Sequence, residues 1–141
     1  GVQTQSAIAG DLFATYRKAI TKARTVGRVN PNGIVVNPAD AEAIDLAKDG
    51  ESRYYFGGPF MISNKTVWGL PVIESETQAA GTALVGDFSK AVIWDREQTT
   101  ITATDSHADF FVRNLIAILA EERLAFAVTR PTAFVKATLP A

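Results

Sequence analysis

His107, the single histidine of the chain, stands between Asp105 and Asp109 at alternate positions. An imidazole and two carboxylates are ligands that zinc accepts, so this trio is a candidate metal site. The three side chains would share a face only in an extended segment, and no second histidine could complete the site. A surface turn, with aspartate or serine capping the next segment, explains the same residues. The sequence therefore predicts no metal site.

A charged group, Glu121, Glu122 and Arg123, interrupts an otherwise apolar stretch. A carboxylate among apolar side chains is a candidate general base. An ion pair with Arg123, or with a basic residue of the N-terminal helix, explains Glu121 without catalysis and is the interpretation we favour. A third interpretation places the group on a surface that is buried only when copies associate. No G-x-S-x-G or other nucleophile motif is present, so we expect no catalytic residue.

An aromatic, glycine-rich segment lies in the loop between residues 49 and 66. Exposed aromatic clusters tend to mark interfaces, whereas buried ones belong to the core, and the sequence leaves both explanations open. The two glycines do not make a phosphate loop, because no Lys-Ser/Thr pair follows at the required spacing. The candidate interface residues are Tyr54, Tyr55, Phe56, Gly57, Gly58 and Phe60.

The composition indicates an ordinary globular domain with a protein partner. With 141 residues the chain suffices for one domain with a core. Its 14 basic and 15 acidic residues leave a net charge of -1, which argues against a general nucleic-acid surface. The absence of cysteine excludes disulfides and thiolate sites, and no run is long enough for a membrane helix. The chain begins with Gly1 instead of methionine, and we expect a fragment.

The N-terminal half predicts two helices and several short strands. Ser6 is the expected cap of a helix that runs to about Val26, with apolar residues at steps of three and four. A buried strand over 34–36 follows, and Asn37 and Pro38 are typical of the start of a second helix. This order indicates an α/β or α+β layer. Further strands are predicted over 68–74, 82–85, 91–94 and 99–104.

The predicted N-terminal helix carries several cations on its polar faces. We interpret them as a solvated face with cations near the helix C-terminus, where they are favourable. The alternative is a basic patch that faces an acidic neighbour or nucleic acid. The residues are Arg17, Lys18, Lys22 and Arg24, with Arg28 just beyond.

The stretch from Asn114 to Val135 supports two secondary structures. Its leucine, alanine, glutamate and arginine residues favour a helix, whereas its period-two alternation favours strands. A turn is expected at Pro131. We favour two strands, one on each side of this turn, that pair with each other antiparallel.

Five blocks of sequence, in order and at compatible spacing, resemble the C-terminal half of HK97-family major capsid proteins of tailed phages. The resemblance runs from about Ala7 to Leu139 and favours strands in the contested stretch. The blocks are IVVNPADAEAI, RYYFGGP, WGLPVIES, AGTALVGDFSKAVIWDRE and FVRNLIAILAEERLAFAVTRPTAFVKATL.

The resemblance implies a shell-building subunit whose copies assemble into pentamers and hexamers. It implies an axial-type domain over residues 1–95 and peripheral-domain strands over 96–141. It also implies contacts inside the capsomer at residues 53–60 and 78–81. In some members a lysine from an extended loop bonds covalently to an asparagine, with a glutamate as base. Asn114 and Glu121 match those two positions, although the extended loop has no counterpart in this sequence.

We therefore expect an α+β fold, with a short mixed sheet flanked by helices and then a long antiparallel strand pair. The expected partners are other copies of the subunit, with scaffold or portal proteins as further candidates, and neither membrane nor specific nucleic acid. No cofactor is expected. The expected location is the virion capsid, assembled in the cytoplasm of a bacterial host. Alternatives are an encapsulin-type compartment subunit, a small enzyme that uses Glu121, and a peptide-binding module that uses Tyr54 and Phe56.

Overall fold

A computed structural model describes residues 1–55 and 65–140. The helices are α1 (Leu12–Thr25) and α2 (Pro38–Asp45). The first sheet contains β1 (Gln3–Gln5), β2 (Gly33–Val36), β3 (Thr66–Val67), β4 (Leu70–Glu74), β5 (Thr82–Gly86) and β8 (Phe134–Thr138). The second sheet contains β6 (Ala91–Thr104) and β7 (Ala117–Val128). The predicted α+β class, with a mixed sheet and a long strand pair, is confirmed.

The first helix starts later than predicted. Asp11 caps α1, with its Oδ1 accepting from the Ala14 N–H at 2.8 Å. The expected cap at Ser6 is wrong, because the residues just before it form β1, which pairs in parallel with β8. At the other end, Gly27 fits where the backbone oxygens of Ala23 and Thr132 approach closely. Only glycine leaves room for that approach.

The second helix follows its sequence signals. The Asn37 side chain accepts from the Ala39 N–H at 3.0 Å, and Pro38 occupies the first turn. The helix lies in the connection that leads from β2 through β3 to β4, and β2 and β4 are parallel neighbours in the sheet, which requires such a crossover. The sheet order is β1-β8-β5-β2-β4-β3.

The core lies between this sheet and the two helices. Alternate residues of a strand point to opposite faces, so one face of β2, β5 and β8 meets the helices. The buried set includes Ile34, Val36, Val85 and Val135 from the strands, with Tyr16, Ile20 and Ile44 from the helices. No helix in the described ranges is long and apolar enough to cross a membrane.

The strands on either side of Pro131 pair differently from the prediction. β7 pairs antiparallel with β6, whereas β8 pairs with β5 and β1, so the expected mutual pairing is wrong. Residues 91–104, in which the sequence predicted two short strands, form one strand of 14 residues that pairs with the 12 residues of β7. Two register shifts in β6 accommodate its extra residues as bulges.

The chain forms two compact units. The first contains residues 1–90 and 129–141, and the second contains residues 91–128. This grouping differs from the predicted division at 95 and 96, because β8 completes the first sheet. At the junction, the backbone N–H and the hydroxyl of Thr129 both donate to the Lys90 carbonyl oxygen at 2.9 Å.

A buried tyrosine hydroxyl gives a stability prediction. Tyr16 is fully buried, and its hydroxyl finds no hydrogen-bond partner in the described parts of the chain. Burial, with the nearby Asp40 carboxylate as a smaller cause, raises the pKa of Tyr16 far above its ordinary value. An unsatisfied buried hydroxyl costs about 1–3 kcal/mol, so Tyr16→Phe should raise the free energy of unfolding by about 1 kcal/mol in urea denaturation.

The matched control is the buried hydroxyl of Thr15. It accepts from the Ile8 N–H at 3.0 Å and donates to the Asp11 carbonyl oxygen at 2.9 Å. Thr15→Val should therefore lower the free energy of unfolding by about 1–2 kcal/mol. Equal losses in both variants would contradict the assignment of an unsatisfied hydroxyl to Tyr16.

Candidate assembly surfaces

One face of the β6–β7 strand pair exposes five large apolar side chains, with Asp95 and Glu122 among them, and we call it the apolar face. The register places Ile93 opposite Phe126, Ile101 opposite Ala120, and Ala103 opposite Ile118. Alternation along β7 adds Leu124 to the same face. The exposed fractions of the five large side chains are 66% for Ile93, 70% for Ile101, 74% for Ile118, 56% for Leu124 and 61% for Phe126.

Such a face is unusual for a surface that stays in water. An isolated two-stranded hairpin is marginally stable, and contiguous exposed apolar patches mark interaction sites. The opposite face of the pair is more polar and includes Thr100, Thr102, Glu121 and Arg123, with Trp94 and Leu119 among them. The apolar face is therefore the part of the strand pair best suited to contact another polypeptide.

The charged group at residues 121–123 divides between the two faces. Glu121 lies opposite Thr100 on the polar face, and Glu122 lies on the apolar face between Ala120 and Leu124. Within residues 65–140, the salt bridge of this group joins Arg123 Nε to Glu97 Oε2 at 3.3 Å. All of these side chains are exposed. The predicted ion pairing among Glu121, Glu122 and Arg123 stays a prediction. Because all three side chains are exposed, any such pair would lie at the surface.

The connection between β6 and β7 adds further apolar exposure. Phe111, Val112 and Ile116 are exposed by 78%, 85% and 67%. Asn114 adopts a left-handed conformation with φ of 54°, which asparagine tolerates better than most residues. The Leu115 N–H donates to the Phe110 carbonyl oxygen at 2.9 Å and closes the turn. Asn114 thus lies in a tight turn whose neighbours face solvent.

The considered metal ligands lie in this same connection and have other contacts. The His107 ring packs edge-on against Phe110 with centroids 5.3 Å apart. The Asp109 carboxylate lies 3.4 Å from the Arg113 guanidinium. No group of three or more potential metal ligands occurs in the part of the chain that the structure describes.

The first unit carries a second candidate surface, the aromatic cluster, formed by Phe13, Arg17, Tyr55 and Trp68. The rings of Phe13 and Tyr55 pack edge-on with centroids 5.6 Å apart. The Trp68 Nε1–H donates to the Phe13 carbonyl oxygen at 3.1 Å, and the Arg17 guanidinium lies 5.7 Å from the Trp68 ring. Tyr55 and Trp68 are 62% and 57% exposed. The cluster is thus fixed in position and accessible.

Sequence reasoning identified only part of this cluster. Tyr55 is exposed and Tyr54 is half-buried, and the Lys48 ammonium lies 4.6 Å from the Tyr54 ring. Phe56, Gly57, Gly58 and Phe60 lie outside the described residues. Trp68 was missed as an interface candidate. The sequence signal that could have identified Trp68 is its position directly before Gly69, a pair typical of a tight turn. In the structure both residues have positive φ and form the two-residue turn of the β3–β4 hairpin, from which the indole projects.

Comparison with known proteins identifies relatives along nearly the whole chain. The sequence model of the Phage capsid family matches residues 2–139. The major capsid protein of Enterobacteria phage HK97 is 47% identical over 115 residues, covering 81% of this chain. That region is 30% of the HK97 protein, so the chain corresponds to less than a third of that relative's length.

Solved capsid structures share the fold. The capsid of an empty GTA particle, computed with C5 symmetry, superposes with a TM-score of 0.79 at 17% identity, covering 100% of this chain and 51% of that one. Gordonia phage Cozz gives a TM-score of 0.73 at 22% identity, covering 99% of this chain and 50% of that one. The resemblance seen in the sequence is therefore confirmed, and the chain belongs to the Phage capsid family.

Proposed function

We propose that this chain is part of the structural subunit of an icosahedral phage or prophage capsid and acts by self-association into pentamers and hexamers. The observation that carries the proposal is the apolar face of the strand pair, which is exposed in the single chain and suited to burial in a shell. The family supports it, and so does the fold that the chain shares with the capsid of a GTA particle.

We assign the two units of the fold to two parts of such a subunit. The first unit, residues 1–90 and 129–141, is the axial-type part, and the strand pair is the peripheral part. The aromatic cluster, with Tyr54 beside it, is the contact surface between axial parts of one capsomer. Its exposed Tyr55 and Trp68 are the residue types that enrich interface cores.

The partners follow from this role. Other copies of the same subunit are the main partners, and scaffold or portal proteins are further ones during assembly. The product is located in the virion capsid after assembly in the cytoplasm of the bacterial host. The role requires neither enzymatic turnover nor a cofactor.

The enzyme alternative finds no support in the surroundings of Glu121. A general base is usually prepared by desolvation in a cleft. Glu121 instead lies exposed on one face of a two-stranded sheet, opposite Thr100. An encapsulin-type compartment would share the fold, but no residue pattern for cargo docking distinguishes it.

The proposal is tested by expressing the complete reading frame that encodes this chain and examining the product by electron microscopy and light scattering. Closed shells tens of nanometres across are expected. If the product is folded but yields only small particles at every concentration, the capsid role fails. Binding of peptides through Tyr54 and Tyr55 would then be the next activity to assay.

The same shells test the cross-link candidates. We expect the assembled subunits to separate into monomers in a denaturing gel, because the exposed Glu121 lacks the desolvation that would prepare it to accept the lysine proton. A covalent ladder that disappears in both Asn114→Ala and Glu121→Gln would contradict this expectation. It would assign amide formation to these two residues, with the asparagine side-chain nitrogen leaving as ammonia.

A further inference from the structure

The charge of the first unit is separated into two surfaces, although the whole chain is close to neutral. Helix α1 contains four cations and no carboxylate between Leu12 and Thr25, and Arg28 follows it. Helix α2 contains three carboxylates and no cation. We call the exposed cations of α1 and Arg28 the basic surface. Separated charge of this kind is typical of a pair of complementary docking surfaces.

The cations of the basic surface have no carboxylate partner. Among residues 1–55 and 65–140, no salt bridge includes any of the five. Lys22 donates to the Thr4 carbonyl oxygen at 2.6 Å, and Arg17 lies over Trp68. Lys18 and Arg24 are exposed, and no hydrogen bond or ring contact ties them to the rest of the described chain. Their charges are therefore free to interact with a neighbour.

The acidic surface comprises α2, the loop after it and the end of β4. Residues 38–55 and 65–76 hold seven carboxylates and three cations. Lys65 binds Asp45 at 2.6 Å and Glu74 at 2.7 Å, and these hydrogen bonds, led by the one to Asp45, raise the pKa of the lysine. Asp49 and Glu51 both pair with Arg53. An excess of negative charge remains after the internal pairs are made.

Two exposed carboxylates of the acidic surface have no internal pair in the described chain. Glu42 lies on α2, and Glu76 lies in the turn after β4. This turn is held near the start of α2, because the Ser75 N–H donates to the Val36 carbonyl oxygen at 2.9 Å and the Asn37 amide donates to the Gln78 carbonyl oxygen at 2.8 Å. Glu42 and Glu76 therefore belong to one end of the acidic surface.

The two surfaces lie over different halves of the same sheet. Helix α1 packs on β5 and β8 and touches β1, whereas α2 packs on β4. In the order β1-β8-β5-β2-β4-β3, these are opposite halves. A closed ring of identical subunits uses a head-to-tail interface, in which two different patches of each copy meet. The basic and acidic surfaces are two such patches, centred on α1 and on α2, and they adjoin where Arg17 lies over Trp68 of the β3–β4 turn.

We propose that the basic surface of one copy docks on the acidic surface of the next copy in a ring. This inference rests on the proposed capsid function and names the surfaces that the ring uses. Electrostatic complementarity sets the register of such an interface and speeds encounter, and like charges placed opposite each other oppose it. The docking should therefore weaken as salt screens the charges.

Charge reversal at the untied residues tests the inference without disturbing the fold. The basic-reversed variant carries Lys18→Glu and Arg24→Glu, and the acidic-reversed variant carries Glu42→Lys and Glu76→Lys. A fourth protein carries all four changes. Self-association of each is measured by analytical ultracentrifugation and native mass spectrometry at low and high salt, with circular dichroism as the check on folding.

Each single-surface variant should lose self-association by about tenfold or more, because like charges then meet at the substituted positions and most of the opposite charge between the two surfaces is lost. An equimolar mixture of the two should associate again, and so should the fourfold variant. In the mixture, opposite charges meet at the substituted positions only where the two proteins alternate, so rings with an even number of copies are favoured. Six-membered and not five-membered rings are expected from the mixture.

Two results would overturn the inference. In the first, the folded single-surface variants associate as strongly as the unmodified chain. This result would contradict the docking inference but not the capsid function. The other is failure of the mixture and of the fourfold variant to recover association, together with loss of DNA binding on basic reversal alone. That result would assign the basic surface to nucleic acid. If the complete product that contains this chain folds but never associates, the proposed function itself fails.

Discussion

Replacement of Ile118 and Phe126 by aspartate is expected to keep the chain monomeric at concentrations where the unmodified chain associates. These side chains are 74% and 61% exposed on the apolar face, so their loss removes no core contact. Burial of each would contribute about 1.5–3 kcal/mol to association, and an unpaired buried carboxylate opposes it further. The association constant should therefore fall by at least about 100-fold in sedimentation measurements.

The opposite face of the strand pair supplies the control. Thr102→Asp and Thr104→Asp place the same two charges on β6, across from Leu119 and Ala117 and away from Glu121. This control should associate within about threefold of the unmodified chain, since surface substitutions away from special features usually change free energies by less than about 0.5 kcal/mol. Equal effects of the two double variants would show that charge, and not the apolar face, limits association.

Replacement of Gly27 by alanine is expected to produce the largest loss of folding stability. A Cβ at this position would lie 2.5 Å from the Ala23 carbonyl oxygen and 2.5 Å from the Thr132 carbonyl oxygen. Both are backbone atoms, so relief requires the last turn of α1 to deform and the segment before β8 to move away from it. Overpacking of this kind costs about 3 kcal/mol, which should appear as a lower urea midpoint with little change in slope.

Gly50 is the matched glycine for this experiment. A Cβ there would meet no atom within 4 Å. Gly50→Ala should leave the free energy of unfolding within about 0.5 kcal/mol of the unmodified value or raise it slightly. Unchanged stability of Gly27→Ala would mean that the two segments separate at no cost, contrary to the close approach described.

The sequence predicted the element types better than their partners. The cap at Asn37 and the strands of the contested stretch follow from local signals, which act within a few residues. The pairing of β7 with β6 depends on contacts across the chain, and nearest-neighbour reasoning selected β8 instead. Dependence on distant contacts also explains why the cap of α1 was predicted at Ser6. Both Ser6 and Asp11 are suitable cap residues, and the pairing of β1 with β8 leaves Asp11 as the start of the helix.

The candidate surfaces were predicted unevenly for the same reason. The aromatic composition of residues 53–60 indicated Tyr55, but the contact of Trp68 with Phe13 joins residues 55 positions apart. Glu121 was treated as a carboxylate in apolar surroundings because its sequence neighbours are apolar. In a strand, the adjacent Ala120 and Glu122 point to the other face, and Glu121 shares its face with Arg123, Leu119 and Thr100.

The hydrogen bonds between Thr129 and Lys90 give the strand pair the topology of an insertion. The chain leaves the first unit at Lys90 and returns at Thr129, which lies beside it. The pairing of β5 with β8 therefore depends on this closed junction and not on the 38 residues between. The inserted arm can gain or lose residues in matched pairs while the first sheet keeps its register, so its reach can vary independently of the unit that carries it.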